Sequence, residues 1–180
     1  FGTDLIFSSD IFNFGVEICE DLWVTIPPSS YLSLLGANII LNLSASNELV
    51  SKADYRKSLI SNQSARSMCA YIYSSAGVHE SSTDLLFSGH LLISENGAIL
   101  KENERFQREN EVLYADIDVF KLRSERMKNL SFRDASKFAP FNVRVVEFDF
   151  DTVDDKHFDR YIDKHPFVPS RKDEMSARCK

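Results

Sequence analysis

Cys19 closes an apolar and aromatic run, residues 12–18, and is followed at once by Glu20 and Asp21, then by Leu22, Trp23 and the pair Pro27-Pro28. A cysteine inside an apolar strand behaves as a small hydrophobe; one at a strand end beside a tight turn is reachable, and its thiolate is the reactive form. The chemistry open to it there is attack on a carbonyl carbon. Sulfur forms a tetrahedral adduct, backbone N–H groups of the turn bind the oxyanion, and collapse leaves a thioester and an amine or ammonia. Glu17 lies on the same side of the strand as Cys19 because side chains alternate, and it reads either as a paired structural carboxylate or as a base. Asp21 reads as a capping or turn residue.

Other reactive residue types point to less chemistry. Cys69 reads as a packed residue and Cys179 lies near the end of the sequence; the 3 cysteines, far apart, form neither a C-x-x-C metal or redox pair nor a disulfide framework. His79, Glu80, Ser81, Ser82, Thr83 and Asp84 are the ingredients of a hydrolase triad, but consecutive residues seldom converge and no G-x-S-x-G elbow is present, so a loop is expected. His157 and His165, among Asp154, Asp155, Asp159 and Asp163, match no metal-site spacing and read as solvated charge. No metal ligand is assigned. The N-x-S triplets at Asn42, Asn62 and Asn129 read as chance matches.

These residues need elements to position them. Residues 12–18 have the length of a buried strand, Pro27 and Pro28 suit the start of a short helix over 29–35, and Gly36 is a good stop. Residues 37–44 (ANIILNLS) read as a second buried strand, and 51–68 as a helix with Ala53, Lys57, Ile60, Ser64 and Met68 near one face. Tyr55 and Arg56 read as packing and surface pairing. Over 69–77 aromatic and β-branched residues concentrate, which favours a third strand, with a continuation of the preceding helix as the alternative. Asn96-Gly97 between two short apolar segments predicts a type I′ hairpin. Residues 111–119 and 142–150 alternate as two further strands, with a charged helix over 119–128 between them. Strands alternating with helices, then a hairpin, indicate an α/β layered domain.

The bulk numbers agree with one domain or a large part of one: 180 residues at 43% hydrophobic composition can bury a substantial core. The net charge of -6, from 21 Lys+Arg against 27 Asp+Glu without a basic cluster, offers no footprint for nucleic acid or an anionic membrane. No apolar run approaches the roughly 20 residues of a membrane-spanning helix. A cytoplasmic protein acting on small molecules is expected. The start at Phe1 and the ending SARCK read as cuts, so a piece of a longer protein is expected.

Several blocks in order, GVEICEDLWVTIPPSS, NLSASN, YR, YIYSSAG, ESSTDLLFSGHLLISENGAIL and ERF, resemble the glutaminase domains of glutamine-dependent NAD+ synthetases, within the carbon-nitrogen hydrolase (nitrilase) superfamily. The match is strong over about residues 1–106 and weaker through HPFVPS. The resemblance implies an α-β-β-α sandwich, incomplete at its N-terminus, with residues 1–150 as the C-terminal part of the hydrolase domain. Residues 151–180 would be an extension toward a synthetase domain outside this sequence. It implies Cys19 as the nucleophile of a Glu-Lys-Cys triad whose Glu and Lys lie upstream; no lysine precedes Cys19 here.

The same resemblance places Glu20 against the α-ammonium of glutamine, Ser46 against the glutamine, and Lys52 against its carboxylate. The residues alone also allow a solvated turn acid, a local Ser-turn and a solvated lysine. Trp23 is either a pocket wall or simply buried. The implied reaction is amide hydrolysis that supplies ammonia for conversion of deamido-NAD+ to NAD+, with ATP and Mg2+ held by the synthetase domain and a homo-oligomeric whole enzyme. Two alternatives stand beside it: a catalytically inert interaction module, and an amidase acting on a different amide.

Overall fold

The computed structural model of the chain describes residues 2–140, 142–151 and 160. Its frame is a 7-stranded sheet in the order β6-β5-β4-β3-β2-β1-β7. The strands are β1 (Leu5–Ser8), β2 (Asn13–Ile18), β3 (Ile39–Ser44), β4 (Ala70–Ser75), β5 (Leu91–Glu95), β6 (Ala98–Glu102) and β7 (Arg144–Glu147). β2, β3 and β4 run parallel, linked by α1 (Pro28–Leu34) and α2 (Lys52–Arg66), while the hairpin β5–β6 and the strand β1 add antiparallel neighbours. Successive crossovers of one hand between adjacent parallel strands bring both helices to the same face.

Burial follows that arrangement. On the helix side the strands present Gly15 and Glu17, Ile40 and Asn42, Tyr71 and Tyr73, all buried. Leu32 of α1 and Ile60 of α2 join Ile6, Leu22, Ile40, Tyr71, Tyr73 and Leu92 in one core. Gly15 lets α1 approach: a Cβ there would lie 2.9 Å from a Leu32 methyl. On the other side the register sets Ile18, Leu43 and Ser74 in one row, and Val16, Leu41 and Ile72 in the next. That face is apolar yet open, with Ile18 61% and Leu43 58% exposed. The helix-and-sheet half of the expected sandwich is therefore present among the described residues.

The parallel strands, both crossover helices and the hairpin fall where the sequence puts them. Asn96 (φ 46°) and Gly97 (φ 89°) take the positive φ values of the predicted turn. The strand expected over 111–119 is a correction. Residues 111–118 form no strand, and Glu111, Val112 and Leu113 lie beside Ile72, Leu91 and Ile93. The start of this segment lies beside the open face without joining its ladder, and the alternation in its sequence is not matched by alternating burial. β1 and the short α4 (Leu130–Ala135) are additions to the sequence reading; Asn129 caps α4 by accepting from the Phe132 N–H at 2.9 Å. The extension expected over 151–180 lies outside the described residues, apart from Asp151 and Arg160; Cys179, His157 and His165 lie outside them too.

The charged helix α3 (Val119–Lys128) is fastened by Arg126. Its Nε donates to the Met68 carbonyl at 3.0 Å, Nη1 to Ser33 at 3.3 Å, and Nη2 to Ala37 at 2.7 Å and Ser67 at 3.0 Å. Ser33 lies in the last turn of α1, Ser67 and Met68 directly follow α2, and Ala37 follows the end of α1, so the guanidinium meets carbonyls at and just beyond two helix C-termini, where partial negative charge gathers. Burial lowers the Arg126 pKa to about 10, so the group remains a cation near neutral pH. Arg126→Met would leave these acceptors without their donor. It is expected to lower the unfolding free energy by about 3 kcal/mol, read by urea denaturation, and a loss within error of zero would contradict this role.

Candidate functional site

β2 ends at Ile18, and the chain enters a short 3-10 turn, Cys19–Trp23. Cys19 itself has φ 51°, a left-handed conformation that is uphill for a residue with a β-carbon. Two side-chain acceptors hold the bend: Asp21 Oδ2 takes the Ile18 N–H at 2.8 Å, and Asn42 Oδ1 takes the Cys19 N–H at 3.1 Å. Asp21 is thus a turn residue, as its position predicts. The thiol is half-buried and Glu20 is exposed.

Behind Asn42 runs a buried chain of hydrogen bonds. Asn42 Nδ2 donates to the Tyr71 hydroxyl at 3.0 Å, and that hydroxyl donates to Glu17 Oε1 in a short contact. Glu17 Oε2 accepts the Ser29 N–H of the first turn of α1 at 2.8 Å. Glu17 is 2% exposed and both of its oxygens are engaged, so its geometry is that of a support for the turn. Burial raises its pKa, and burial together with the Glu17 charge raises that of Tyr71 well above the usual phenol value. Tyr71 is therefore a neutral donor.

Lys52 opens α2 and reaches the turn from the neighbouring crossover. Its Nζ donates to Asn47 Oδ1 at 2.9 Å and lies 5.1 Å from the centre of the Trp23 ring. Partial burial and the Arg56 charge lower its pKa, against the pull of Glu48, Cys19 and Glu20. Ser46 is buried in the loop that leaves β3, the strand paired with β2 through Ile18 and Leu43. The structure thus brings Cys19, Glu20, Trp23 and Lys52 together and sets Ser46 at the same end of the sheet, the C-terminal edge of its parallel strands. Open α/β sheets form their clefts at that edge. A cavity of about 740 Å³, lined by Ser8, Ser9, Asp10 and residues 147–151, lies at the opposite end of β2. Its acidic lining includes none of these residues.

One cluster was missed by the sequence reading. Arg56 is not a surface pairing residue: it is 0% exposed, and its Nη1 meets Glu48 Oε2 at 3.2 Å and His90 Nδ1 at 2.9 Å. An arginine only donates, so His90 accepts at Nδ1 and offers its Nε2 proton to Glu102 Oε1 at 3.0 Å. Burial and the Arg56 charge keep His90 below its ordinary pKa, despite Glu102. Glu102 also takes a short contact from Lys57. Glu48 accepts from Ser88 Oγ at 2.6 Å and from Arg105 Nη1 at 3.2 Å. Burial pushes the Glu48 carboxyl up, but the Ser88 hydroxyl and the two guanidinium groups outweigh it and hold the pKa below the usual value. A signal was present: Arg56 shares its helix face with Ala53, Ile60, Gln63 and Ser64, all buried.

The remaining candidates are structural. Ser81 Oγ accepts from the Phe87 N–H at 3.0 Å and Ser82 Oγ from Leu85 at 3.2 Å, turn contacts within the expected loop. Cys69 is buried and its thiol is pushed up to about 12, the packed cysteine the sequence suggests. Among the described residues no group of His, Cys, Asp and Glu has the arrangement to hold a metal ion, and no helix is long and apolar enough to cross a membrane.

The sequence profile of the carbon-nitrogen hydrolase family matches residues 2–127. The glutamine-dependent NAD(+) synthetase of Mycobacterium tuberculosis is 39% identical over 186 residues, which cover 99% of this chain and 27% of that protein. The chain thus spans about 27% of the length of the curated relatives it matches first. A solved glutamine-dependent NAD+ synthetase from Acinetobacter baumannii, in complex with ADP, superposes with a TM-score of 0.53 at 30% identity, covering 58% of this chain and 19% of that one. A carbon-nitrogen hydrolase from Helicobacter pylori shares the fold, with a TM-score of 0.56 at 19% identity over 68% of this chain and 45% of that one.

The buried Glu17 gives a pH signature. Its folded-state pKa is raised above the ordinary 4.5, so its contribution to stability is full below about 4.5 and is lost as pH rises through the folded-state value. Glu17→Gln keeps the shape and cannot ionise. The wild type is expected to lose stability relative to this variant as pH rises from about 4 to 8, read from urea midpoints of both chains. A difference that stays constant over that range would show that the Glu17 charge is fully compensated in the fold.

Proposed function

The chain belongs to the carbon-nitrogen hydrolase family, and we propose that it supplies the nucleophile, Cys19, for hydrolysis of the glutamine side-chain amide within a glutamine-dependent NAD+ synthetase. The observation that carries this reading is the thiol held at a left-handed bend at the end of β2, with Lys52 beside the same turn. The thiolate attacks the amide carbon, the tetrahedral oxyanion is met by backbone N–H of the turn, and collapse expels ammonia and leaves a glutamyl thioester that water cleaves. Glu20 pairs with the α-ammonium of glutamine, Lys52 with its α-carboxylate, and Ser46 adds a hydroxyl contact. The general base and the oxyanion-stabilising lysine are supplied by residues outside this sequence.

ATP and Mg2+ belong to the synthetase part in this reading, since the sequence has no S-G-G-x-x-S phosphate loop. The ammonia released at Cys19 is consumed there in forming NAD+ from deamido-NAD+. A cytoplasmic homo-oligomer is the expected form of the whole enzyme.

In the full-length protein, Cys19→Ala is expected to lower glutamine-driven NAD+ formation by about a thousand-fold or more while ammonia-driven formation continues at its wild-type rate. Equal loss of both activities would count against a separate amide-hydrolysing site. The 180-residue chain alone is expected to release ammonia from glutamine at no more than the background rate. Steady turnover by that chain would place the base among its own residues, and turnover of another amide in preference to glutamine would favour a different amidase.

A further inference from the structure

Building on the glutamine-binding reading of Ser46 and Lys52, we propose that Glu48 is a positioning residue that fixes the loop between them for the substrate's α-carboxylate. The loop, residues 45–51, belongs to neither a helix nor a strand, and Leu49 and Val50 point into solvent. Its middle is nonetheless drawn inward. The Glu48 N–H donates to the Leu86 carbonyl at 2.6 Å, while its side chain, 5% exposed, is gripped from three other segments. Ser88 comes from the β4–β5 connection, Arg56 from α2, and Arg105 from the chain after β6.

The grip is directional. A carboxylate held by two guanidinium groups and a hydroxyl has one favourable position, whereas an apolar residue in the same place would accept several. Arg56 is itself held from behind by His90, which Glu102 orients in turn, so the loop is referred back to the β5–β6 hairpin. Glu48 stands two residues after Ser46 and four before Lys52. Glu48 also balances the Arg56 charge. Without it, that buried cation would stand uncompensated one turn along α2 from Lys52. The consequence falls on recognition of substrate, since the thiol turn is held by the separate Asn42, Tyr71 and Glu17 chain.

The test is a split between KM and kcat in the full-length protein. Glu48→Ala is expected to raise KM for glutamine about ten-fold while kcat changes less than about three-fold, and Glu48→Gln, of the same shape, to recover part of that loss. Ser88→Ala, which leaves the loop sequence intact, is expected to raise KM in the same direction by about three-fold. Alkylation of Cys19 by iodoacetamide in the absence of glutamine should proceed at the wild-type rate, with protection by glutamine moved to higher concentration. An unchanged KM in Glu48→Ala, or a fall in kcat alone, overturns the proposal. Should Glu48→Ala fail to fold, an unchanged KM in Ser88→Ala overturns it equally. Cys19→Ala separates the two ideas: if that variant keeps its glutamine-driven activity, the functional reading itself fails, whereas an inactive Cys19→Ala beside a Glu48→Ala of wild-type KM removes only the role of Glu48.

Discussion

The hydrogen bond from the Cys19 amide to the Asn42 side chain determines which way the thiol leaves the sheet. A left-handed backbone at a cysteine costs free energy and persists only where its surroundings over-determine it. Here the surroundings are a line of buried polar groups, from Asn42 through Tyr71 and Glu17 to the first turn of α1. Breaking any link would leave a polar atom in the interior without water, a penalty larger than the net worth of the bond itself. The end of β2, the next two parallel strands β3 and β4, and the start of α1 are thus set by one continuous constraint.

Arginines perform the second kind of fastening. Arg126 gathers the trailing ends of two helices, and Arg56 joins a loop glutamate to a histidine beneath the hairpin. Each suits its task because a guanidinium offers several donors in a fixed plane and holds its charge when buried. Arg56 also lies 5.7 Å from the centre of the Tyr73 ring, a partner for the part of the cation that its acceptors do not reach. The apolar packing of the sheet against α1 and α2 supplies cohesion, while these polar ties determine where loops and ends come to rest.

Local periodicity made most of this architecture legible. The apolar runs that became β2, β3 and β4, the prolines that start α1, and Asn96-Gly97 each act through neighbours close in sequence. The segment over 111–118 misled because alternation of residue type says nothing about ladder hydrogen bonds. In the site, Cys19 stood out from its context, and the blocks around Glu20, Ser46 and Lys52 suggested a shared cleft. The union of Glu48, Arg56, His90 and Glu102 did not show, since it joins positions as far as 54 residues apart. No spacing rule reaches that distance, although the helix face occupied by Arg56 hinted that its side chain turns inward.

Ile18, the last residue of β2, lies on the open apolar face, and Cys19 follows it directly as the first residue of the turn. In a ladder of period two, a slip by a single residue would turn Ile18 inward and Glu17 outward, and the bend that carries the thiol would move with them. Any layer that shields the open face therefore does more than dry it. By demanding a hydrocarbon at position 18, it acts as a ratchet on the strand and keeps the thiol pointing at the chemistry from behind.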